Sequence, residues 1–593
     1  MRTKYCGHLR EIHVNKIITL CGWVNKIRNL GQLIFIDIRD YTGIVQVVFN
    51  SENHVIFQTA LNLKNEFCIQ ISGIVQSRHK KNQNPYIDTG LVEVVAHKIR
   101  ILNTSESPLP LHYLNNTNND DSRLKYRYLD LRRTDVLNNL QTRSNITFLV
   151  RTFLTKKHFL DVETPFLTKS TPEGARDYLI PSRNYNGKFY ALPQSPQIFK
   201  QLLMISGIDK YYQIVKCFRD EDLRSDRQPE FTQIDIEMSF STAMQVRQLI
   251  EKLIKKIWFK IINYKILNFP KISFYDALKR YGSDKPDLRN PIEIIDIIDI
   301  FKESEQVLFF NLNIKKKNRI GLLCISHDNY FSRKKIEYYV NYIKKHHATK
   351  LFFIKIKNID LGIDGVYSSI KKFLNANVLK DILLKSKAKN SDILFFIADQ
   401  EDIANNALNI LRLKLGKDLK ITQENSWKPV WIVDFPMFQK DTSGNFYAVH
   451  HPFTAIKNIN KIQLKKNPHY AISDSYDLVI NGYEIGGGSV RIHDSKIQRL
   501  VFNILGMTEK IQNEKFGFLI DALKYGAPPH AGIALGLDRI VMLLTNSKNI
   551  RDVIAFPKTT SASCLMTDAP STIENTLLSE LGIKLKKNHN FNT

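Results

Sequence analysis

The sequence predicts a multidomain α+β protein, and three of its features carry the prediction. Five short strand patterns fall within the first 100 residues, helical and strand patterns alternate from about residue 134, and a Lys- and Ile-rich segment interrupts that alternation. The chain has 593 residues, which is enough for roughly four domains at about 150 residues each. Hydrophobic residues make up 43% of it, a share typical of folded chains.

Residues 1–105 are predicted to form a five-stranded β-barrel of the OB type. Five strands in about 100 residues, with a helical gap before the fourth, suit that barrel, and OB barrels commonly bind oligonucleotides. A polar stretch with two prolines follows, so residues 106–133 are assigned to a hinge or linker. The strand patterns are Ile18–Val24, Leu33–Arg39, Ile44–Phe49, Phe67–Val75 and Leu91–Arg100.

Residues 134–287 and 427–560 are predicted to be two parts of one domain. Strand-rich motifs resume at Val430 in the style of the first part, so the Lys-rich α/β segment 288–426 is assigned to an inserted domain. Residues 561–593 form a C-terminal extension. The elements expected in the divided domain are a long helix over Thr134–Lys157, strands at Tyr211–Cys217 and Glu230–Met238, and a helix at Gly536–Leu544.

The formal net charge of +27, from 85 basic and 58 acidic residues, predicts a polyanionic partner. Charge alone leaves nucleic acid and an acidic membrane surface open, and a compositional bias toward lysine would also produce it. No run approaches 18 apolar residues and the start is polar, so neither a membrane span nor a secretory signal is expected, and the protein is predicted to be cytoplasmic. The six cysteines include no C-x-x-C pair, which disfavours zinc and a disulfide framework.

A loop crowded with charges joins two strand patterns in the segment 218–240. Arg219 follows the apolar pair Cys217-Phe218 at a strand end, beside Asp220 and Glu221. A fixed guanidinium next to carboxylates suits a phosphate with its Mg²⁺, whereas the alternative is a solvated hairpin tip.

Two further stretches carry glycines beside charged residues. The segment Gly532–Arg539 has the sequence GIALGLDR. Its glycines permit a close approach of the backbone to a ligand, and Arg539 projects from the start of a helix, where anions are favoured. The alternative is that the glycines serve helix–strand packing. In the stretch 476–491, Asn481-Gly482 predicts a type I′ hairpin that sets Asp477 diagonal to Glu484 on one sheet face. Two carboxylates on one face favour a divalent metal between them, and an ordinary exposed hairpin is the alternative.

Together these stretches resemble class II aminoacyl-tRNA synthetases. The second motif of that family is similar to residues 218–221, the third to Gly532–Arg539, and the first, at the dimer interface, to His158–Pro165. Ala534 replaces the middle glycine of the third motif. The whole chain further resembles the bacterial-type aspartyl-tRNA synthetases, through the segments Thr171–Asp177, Leu192–Lys200, Arg219–Phe231, His450–Pro452 and Tyr483–Arg491. The inserted segment departs from the Gly- and Ala-rich pattern of that family's inserted module at His347–Phe353.

The resemblance implies an antiparallel-sheet catalytic domain that binds ATP with Mg²⁺, L-aspartate and the tRNA for aspartate, in a homodimer, with no zinc or organic cofactor and no membrane. An aspartate site needs cations for two carboxylates, and Lys200 and Arg491 are the candidates for the side-chain carboxylate. The implied catalytic residues are Arg219, Glu221 and Arg539, the implied metal ligands are Asp477 and Glu484, and Pro165 is implied to lie at the dimer interface. The residues implied to bind aspartate are Glu173, Ser195, Gln197, Lys200, Arg219, Asp235, His450, His451 and Arg491. The residues implied to bind ATP are Arg219, Asp220, Glu221, Gln228, Phe231, Glu484, Gly536, Leu537, Asp538 and Arg539.

The barrel carries its own candidate RNA site. Alternation in Leu33–Ile38 turns three isoleucines inward and Phe35 outward, where an aromatic ring can stack on a base. Gln46 on the next strand also points outward, and Arg28 lies in the loop before. The resemblance implies that these three residues read the anticodon. An outward Phe35 is equally compatible with ordinary packing.

Two alternative functions remain open for the whole chain. One is an asparagine-activating enzyme, and the other is an inactive RNA-binding paralogue.

Overall fold

The protein is described by a computed structural model that covers residues 1–111, 119–171, 174–224, 226–301, 318–326, 330–346 and 350–586. The chain divides into two compact units. Unit 1 comprises residues 1–142 and 551–572, and unit 2 comprises residues 143–550 and 573–593. The predicted segment His347–Phe353 lies partly outside the described residues.

Unit 1 contains the predicted barrel. Its sheet is closed in the order β1-β2-β3-β5-β4, and Ile34, Ile36 and Ile38 point into the core with at most 1% of their surface exposed. The first strand runs five residues beyond its apolar pattern, because residues 26–29 pair with β2. The elements are β1 (Ile17–Asn29), β2 (Leu33–Asp40), β3 (Gly43–Asn50), α1 (His54–Leu61), β4 (Cys68–Ser77) and β5 (Val92–Asn103).

The predicted hinge includes two short helices, α2 (Asp120–Lys125) and α3 (Arg127–Asp130), whereas residues 112–118 lie outside the described part. Arg127 is 2% exposed and donates to the carboxylate of Asp130 at 2.5 Å and to the carbonyls of Arg551, Ile554 and Ala555 at 2.8–2.9 Å. A buried guanidinium with this many partners is stable only while all of them stay in place. The later segment 551–572 is therefore an integral part of unit 1.

Unit 2 is built on an eight-stranded sheet with the order β11-β17-β20-β21-β22-β10-β9-β6. Its six central strands, from β17 to β9, pair antiparallel, and the two short edge strands pair parallel with their neighbours. The predicted antiparallel catalytic-type sheet is thus confirmed. The strands are β6 (Leu160–Asp161), β7 (Leu179–Pro181), β8 (Phe189–Ala191), β9 (Lys210–Phe218), β10 (Glu230–Ser239), β11 (Lys271–Ser273), β12 (Ile295–Asp296), β13 (Asn318–Ser326), β14 (Leu351–Ile356), β15 (Val366–Ser368), β16 (Asp392–Gln400), β17 (Pro429–Val433), β18 (Phe438–Lys440), β19 (Phe446–Ala448), β20 (Ser475–Ile480), β21 (Tyr483–Val490) and β22 (His530–Gly536).

Several helices of unit 2, among them those over 197–205, 243–262 and 537–544, pack against this sheet. The helix over 243–262 starts at a reciprocal capping box between Thr242 and Gln245 and ends at Asn263 in the left-handed conformation. The helices are α4 (Thr134–Thr155), α5 (Gln197–Ile205), α6 (Ala243–Ile262), α7 (Phe274–Tyr281), α8 (Ile298–Phe301), α9 (Arg333–Lys344), α10 (Ala376–Ser386), α11 (Glu401–Asp418), α12 (Lys461–Lys466), α13 (Ser495–Ile504), α14 (Glu509–Ala522), α15 (Leu537–Leu544) and α16 (Asn575–Glu580).

A second sheet of five strands, β12-β13-β16-β14-β15, occupies the predicted inserted segment. One of its cores is formed with α11, through residues such as Leu408, Leu411 and Leu415, none of which is exposed to solvent. The predicted fold class is confirmed, and the domain bounds remain predictions. None of the helices in the described ranges is long and apolar enough to cross a membrane.

Candidate active site

Four neighbouring strands of the large sheet form the floor of a cavity of about 440 Å³. Asp477 on β20 lies opposite Gly487 on β21, Gly487 lies opposite Ala534 on β22, and Ala534 lies opposite Asp235 on β10. Paired residues of neighbouring strands point to the same face, so two carboxylates project at the sides of a floor made of small residues. A ligand can therefore lie against the backbone between two acidic groups.

Two cations and two carboxylates form a closed cluster at one end of the cavity. Lys200, on α5, lies 2.7 Å from Asp235 and 3.2 Å from Glu237. Arg491 binds both oxygens of Glu237 at 2.9 and 3.0 Å, and it donates to Ser489 and to the Nε2 of His451 at 2.6 Å. All four charged side chains are at most 2% exposed, so Lys200 is not the surface helix lysine that its sequence position alone suggests.

Burial and pairing shift the pKa values of this cluster. Burial raises the pKa of Asp235 despite its contact with Lys200. Burial also opposes ionisation of Glu237, but Arg491 and then Lys200 outweigh it and lower its pKa to about 2. Burial and the neighbouring Arg491 hold the pKa of His451 well below its usual value, so this histidine is neutral and accepts a hydrogen bond from the arginine.

The opposite end of the cavity holds the carboxylates of Asp477 and Glu484 and several cations. The Nζ of Lys285 lies 2.9 Å from the carboxylate of Glu484, and Arg539 donates to the backbone carbonyl of Glu484 at 2.7 Å. The Nε2 of His450 lies 3.4 Å from Asp477. Burial raises the pKa of Asp477, whereas in Glu484 the effect of burial is outweighed by Lys285 and Arg539, which lower the pKa. Burial thus favours the protonated form of Asp477, whereas the neighbouring cations favour the ionised form of Glu484.

The hairpin that carries these acids matches the predicted pairing of Ile480 with Tyr483 and of Val479 with Glu484. Asn481 and Gly482 have φ values of 52° and 87°, as a type I′ turn requires. A bulge then shifts the register between Leu478 and Val479, which the sequence pattern did not predict. The bulge places Asp477 opposite Gly487, where a side chain at 487 would come within 2.8 Å of its carboxylate.

Arg219 lies above the ring of Phe231, with its guanidinium carbon 5.0 Å from the ring centre. Its Nε is buried and makes no hydrogen bond within the described part of the chain. Glu221 pairs with Arg227 at 2.9 Å, and Arg539 pairs with Asp226 at 3.2 Å. The loop after β9 therefore brings both signs of charge to the rim of the cavity.

The structure brings most of the predicted aspartate and ATP residues together on this one cavity, while their individual roles stay predictions. Asp220 is exposed and Leu537 is 1% exposed within its helix, and neither lines the cavity. Glu173 lies outside the described residues. The predicted residues that line the cavity are Ser195, Gln197, Lys200, Arg219, Glu221, Gln228, Phe231, Asp235, His450, His451, Asp477, Glu484, Arg491, Gly536, Asp538 and Arg539.

Three important residues of the site were missed from the sequence. Glu237 contacts both buried cations, and its position two residues after Asp235 on a strand was a usable signal, because alternate residues share a face. Gln194 holds the loop over Ala175–Asp177 through three hydrogen bonds. Lys285 reaches the cavity from the segment after α7, and no local pattern marked it.

The donor set suits Mg²⁺ at the acidic end of the cavity. Mg²⁺ with nucleotide phosphates uses only one or two protein carboxylates, and Asp477 and Glu484 supply two hard oxygen ligands. The buried Oδ1 of Asp477 makes no hydrogen bond to the residues that the structure describes. Over the same residues, no group of three or more His, Cys, Asp or Glu side chains could hold a metal ion.

The three predicted anticodon residues contact one another on unit 1. Arg28 donates to Gln46 at 2.8 Å, and its guanidinium lies 5.8 Å from the ring centre of Phe35. One detail of the prediction was wrong, because Arg28 belongs to β1 rather than to a loop. Gln46 alternates with the core residues Val45 and Val47 and so points away from the barrel core as predicted, yet it is only 6% exposed. Gln46 is covered because its amide also donates to Glu93 at 2.6 Å.

Comparison with known proteins agrees with this architecture. The profile described as tRNA synthetases class II (D, K and N) matches residues 119–560, and the profile of an OB-fold nucleic acid binding domain matches residues 18–102. The solved asparaginyl-tRNA synthetase from Pyrococcus horikoshii has the same fold, with a TM-score of 0.58 at 18% identity over 94% of this chain and 98% of that one. The chain therefore belongs to the class II tRNA synthetases.

Curated relatives narrow the family further. An aspartate–tRNA ligase from Buchnera aphidicola is 67% identical over 99% of this chain and 100% of its own length. The aspartate–tRNA ligase of Haemophilus ducreyi is 52% identical over 98% of this chain and 99% of its own. Within class II, the chain thus belongs with the aspartate–tRNA ligases, and the resemblance predicted from its motifs is confirmed.

Proposed function

We propose that the protein activates L-aspartate with ATP and transfers it to the tRNA for aspartate. One observation carries this proposal. A single cavity holds two buried cations, Lys200 and Arg491, at one end. Its other end holds Arg219, Arg539 and two carboxylates. The first end suits a small anionic amino acid, and the second suits a polyphosphate. The relatives that are 52–67% identical carry the same function in their names.

In the first step, the α-carboxylate of aspartate attacks the α-phosphorus of ATP in line, giving aspartyl-adenylate and pyrophosphate. Negative charge builds on the phosphorus oxygens, so fixed cations supply most of the catalysis and no enzyme nucleophile is needed. We assign to Arg219 the contact that bridges the α-phosphate and the attacking carboxylate. Its unpaired Nε supports this role, because a buried donor needs an acceptor.

The remaining cavity residues orient the nucleotide. We assign the γ-phosphate to Arg539 and the adenine to Phe231 and Gln228, with Glu221 beside the phosphates. Asp477 and Glu484 would hold Mg²⁺, which neutralises phosphate charge when it is bound. In the second step the terminal ribose hydroxyl of the tRNA attacks the adenylate and releases AMP.

Selection of aspartate over asparagine follows from the buried cations. The side-chain amide of asparagine brings no negative charge to Lys200 and Arg491, whereas the second carboxylate of aspartate does. Strong discrimination results when the wrong ligand leaves buried polar groups unpaired. Glu237 and Asp235 neutralise the two cations in the free protein, so this end of the cavity does not carry an uncompensated charge before aspartate arrives.

The barrel and the exposed apolar side chains suggest the partners. We propose that Arg28, Phe35 and Gln46 read the anticodon in the cytoplasm, where tRNA is charged. We also propose a homodimer whose interface includes Pro165, because large apolar side chains at position 148 and in the segment 160–167 are exposed. These side chains are Phe148, Leu160, Phe166 and Leu167, with exposed fractions of 44–69%. Sedimentation equilibrium of wild type and Leu160→Glu tests the dimer.

Aspartate-dependent exchange of pyrophosphate into ATP tests the function itself. The wild-type protein is expected to support exchange with aspartate and not with asparagine. Arg491→Leu is expected to lower the rate by more than about 100-fold while tRNA affinity changes little, because the guanidinium binds the amino acid. Exchange with asparagine alone would reject the assignment of the substrate, and no exchange with either amino acid would reject the function.

A further inference from the structure

Lys285 lies at the polyphosphate end of the cavity and belongs to none of the motifs that define the family resemblance. Its Nζ is 2.9 Å from the Glu484 carboxylate, whose backbone carbonyl accepts from Arg539 at 2.7 Å. Two cations thus flank one acid. Resting on the function proposed above, we propose that Lys285 binds the β- and γ-phosphate end of ATP and is held in place there by the inserted domain.

The pairing of Lys285 with Glu484 is easily exchanged. The two side chains are 39% and 29% exposed, and ion pairs this accessible to water contribute little net stability. Mg²⁺ at Glu484 would also repel the ammonium of Lys285. The phosphate oxygens that arrive with the metal are the nearest alternative acceptors, so the lysine changes its partner from a carboxylate to a phosphate when the nucleotide binds.

A buried arginine of the inserted domain fixes the segment that carries Lys285. Arg412, on α11, is 0% exposed and donates to the backbone carbonyls of Asp287, Asn290 and Ile292 at 2.5–2.8 Å. The Nδ2 of Asn290 returns a bond of 2.7 Å to the carbonyl of Arg412. Because α11 packs on the five-stranded sheet, this network ties the inserted domain to the chain two residues beyond Lys285.

The hairpin turn of the catalytic sheet lies against the same segment. A side chain added at Gly482 would come within 3.4 Å of Asp287 and 3.9 Å of the carbonyl of Lys285. Arg289 also binds the carboxylate of Asp287, at 2.7–3.2 Å. The segment 285–292 is therefore held from two sides, and its lysine lines the cavity.

Titration calorimetry with Mg·ATP and with AMP tests the role of Lys285, because AMP lacks the two outer phosphates. Lys285→Met is expected to weaken Mg·ATP binding about 10- to 100-fold, the effect of one lost charge-assisted hydrogen bond, and to leave AMP binding within twofold. Lys285→Arg should recover part of the loss. Lys265→Met, at an exposed lysine after α6, is the matched control and should match wild type.

Unchanged Mg·ATP affinity in Lys285→Met, or an equal loss of AMP affinity, would overturn the proposal. Wild-type pyrophosphate exchange is measured separately. A wild type that binds Mg·ATP through Lys285 but exchanges with no amino acid would reject the proposed function and leave this inference standing.

A double-mutant cycle tests the contribution of the inserted domain. Arg412→Lys keeps the charge but cannot reach three carbonyls, so Mg·ATP affinity should fall while AMP affinity holds. The double variant with Lys285→Met should bind Mg·ATP no more weakly than Lys285→Met alone. Additive losses would show that Arg412 does not act through Lys285. Should Arg412→Lys fail to fold, Asn290→Ala, which removes fewer of the bonds, replaces it in the same cycle.

Discussion

At the scale of single residues, Glu237 is the group on which the amino-acid end of the cavity depends. It binds both cations of the closed cluster and is 0% exposed. Gly532 on the next strand makes room for it, because a side chain there would come within 1.9 Å of its carboxylate. The glycine of the third motif therefore has a structural reason besides backbone approach to a ligand.

The lowered pKa of Glu237 predicts a defined pH dependence of stability. Its pKa is about 2 in the folded protein against an ordinary 4.5, so the unfolded chain binds the proton first as the pH falls. The stabilisation is complete above about pH 4.5 and is lost as the pH drops toward 2. A pKa shift of one unit corresponds to about 1.4 kcal/mol, so the lowered pKa of Glu237 contributes about 3 kcal/mol to the free energy of unfolding at neutral pH.

We therefore expect Glu237→Gln to lower Tm at pH 7, because two buried cations lose a partner, and to flatten the fall of Tm between pH 5 and 3. Differential scanning calorimetry across this range measures both effects. The exposed Glu424→Gln should follow wild type at every pH. An equally steep acid-side slope in Glu237→Gln would assign the acid sensitivity to other carboxylates.

At the scale of elements, the β20–β21 hairpin determines where the phosphate end of the cavity lies. Gly487 sits beneath Asp477 and His450, and a methyl group there would come within 2.8 and 3.1 Å of their polar atoms. We expect Gly487→Ala to lower the rate of pyrophosphate exchange at least tenfold by displacing the carboxylate, with a small change in Tm.

Steady-state exchange and a thermal scan on the same preparations check this prediction. Gly517→Ala is the matched control, because a side chain at 517 in α14 meets nothing within 4 Å. That change should leave exchange unaltered and raise the stability by about 0.5–1 kcal/mol through helix propensity. Equal exchange rates in both variants would show that the position of Asp477 tolerates displacement.

Most of these elements could be predicted from the sequence, and the failures have physical causes. The barrel strands and the Asn481-Gly482 turn follow from alternation and turn chemistry, which are local. The bulge between Leu478 and Val479, the continuation of β1 through Arg28 and the burial of Gln46 each depend on a partner strand or side chain far along the chain. Lys285 was missed for the same reason, because its role depends on a contact with another segment, whereas the spacing of Glu237 two residues after Asp235 was a local signal.

At the scale of the whole molecule, the candidate anticodon residues and the candidate active site lie in different compact units. Phe35→Ala is therefore expected to reduce tRNA charging at limiting tRNA by about 5- to 100-fold, the effect of one lost base stack, and to leave pyrophosphate exchange without tRNA unchanged. Phe35→Tyr keeps an aromatic face and should retain most of the charging activity. Parallel loss of both activities in Phe35→Ala would contradict an anticodon role.

The proposed tRNA partner accounts for the positive net charge of the chain, although the charge alone does not distinguish tRNA from other polyanions. The barrel and the cavity favour tRNA, whose phosphates give a salt-dependent and sequence-independent attraction. In the inserted segment one cationic side chain has a structural role, because the buried Arg412 donates to the backbone carbonyl of Asp287.

The discontinuous make-up of unit 1 bears on how the protein emerges from the ribosome. The barrel closes with residues from the first 103 positions, so it can form early in synthesis. The guanidinium of Arg127 finds the carbonyls of Arg551, Ile554 and Ala555 only after more than 400 further residues have been added. During that interval Arg127 has the nearby Asp130 as a partner but lacks those three carbonyls, and translation of residues 551–572 supplies the last pieces of the unit that was begun first.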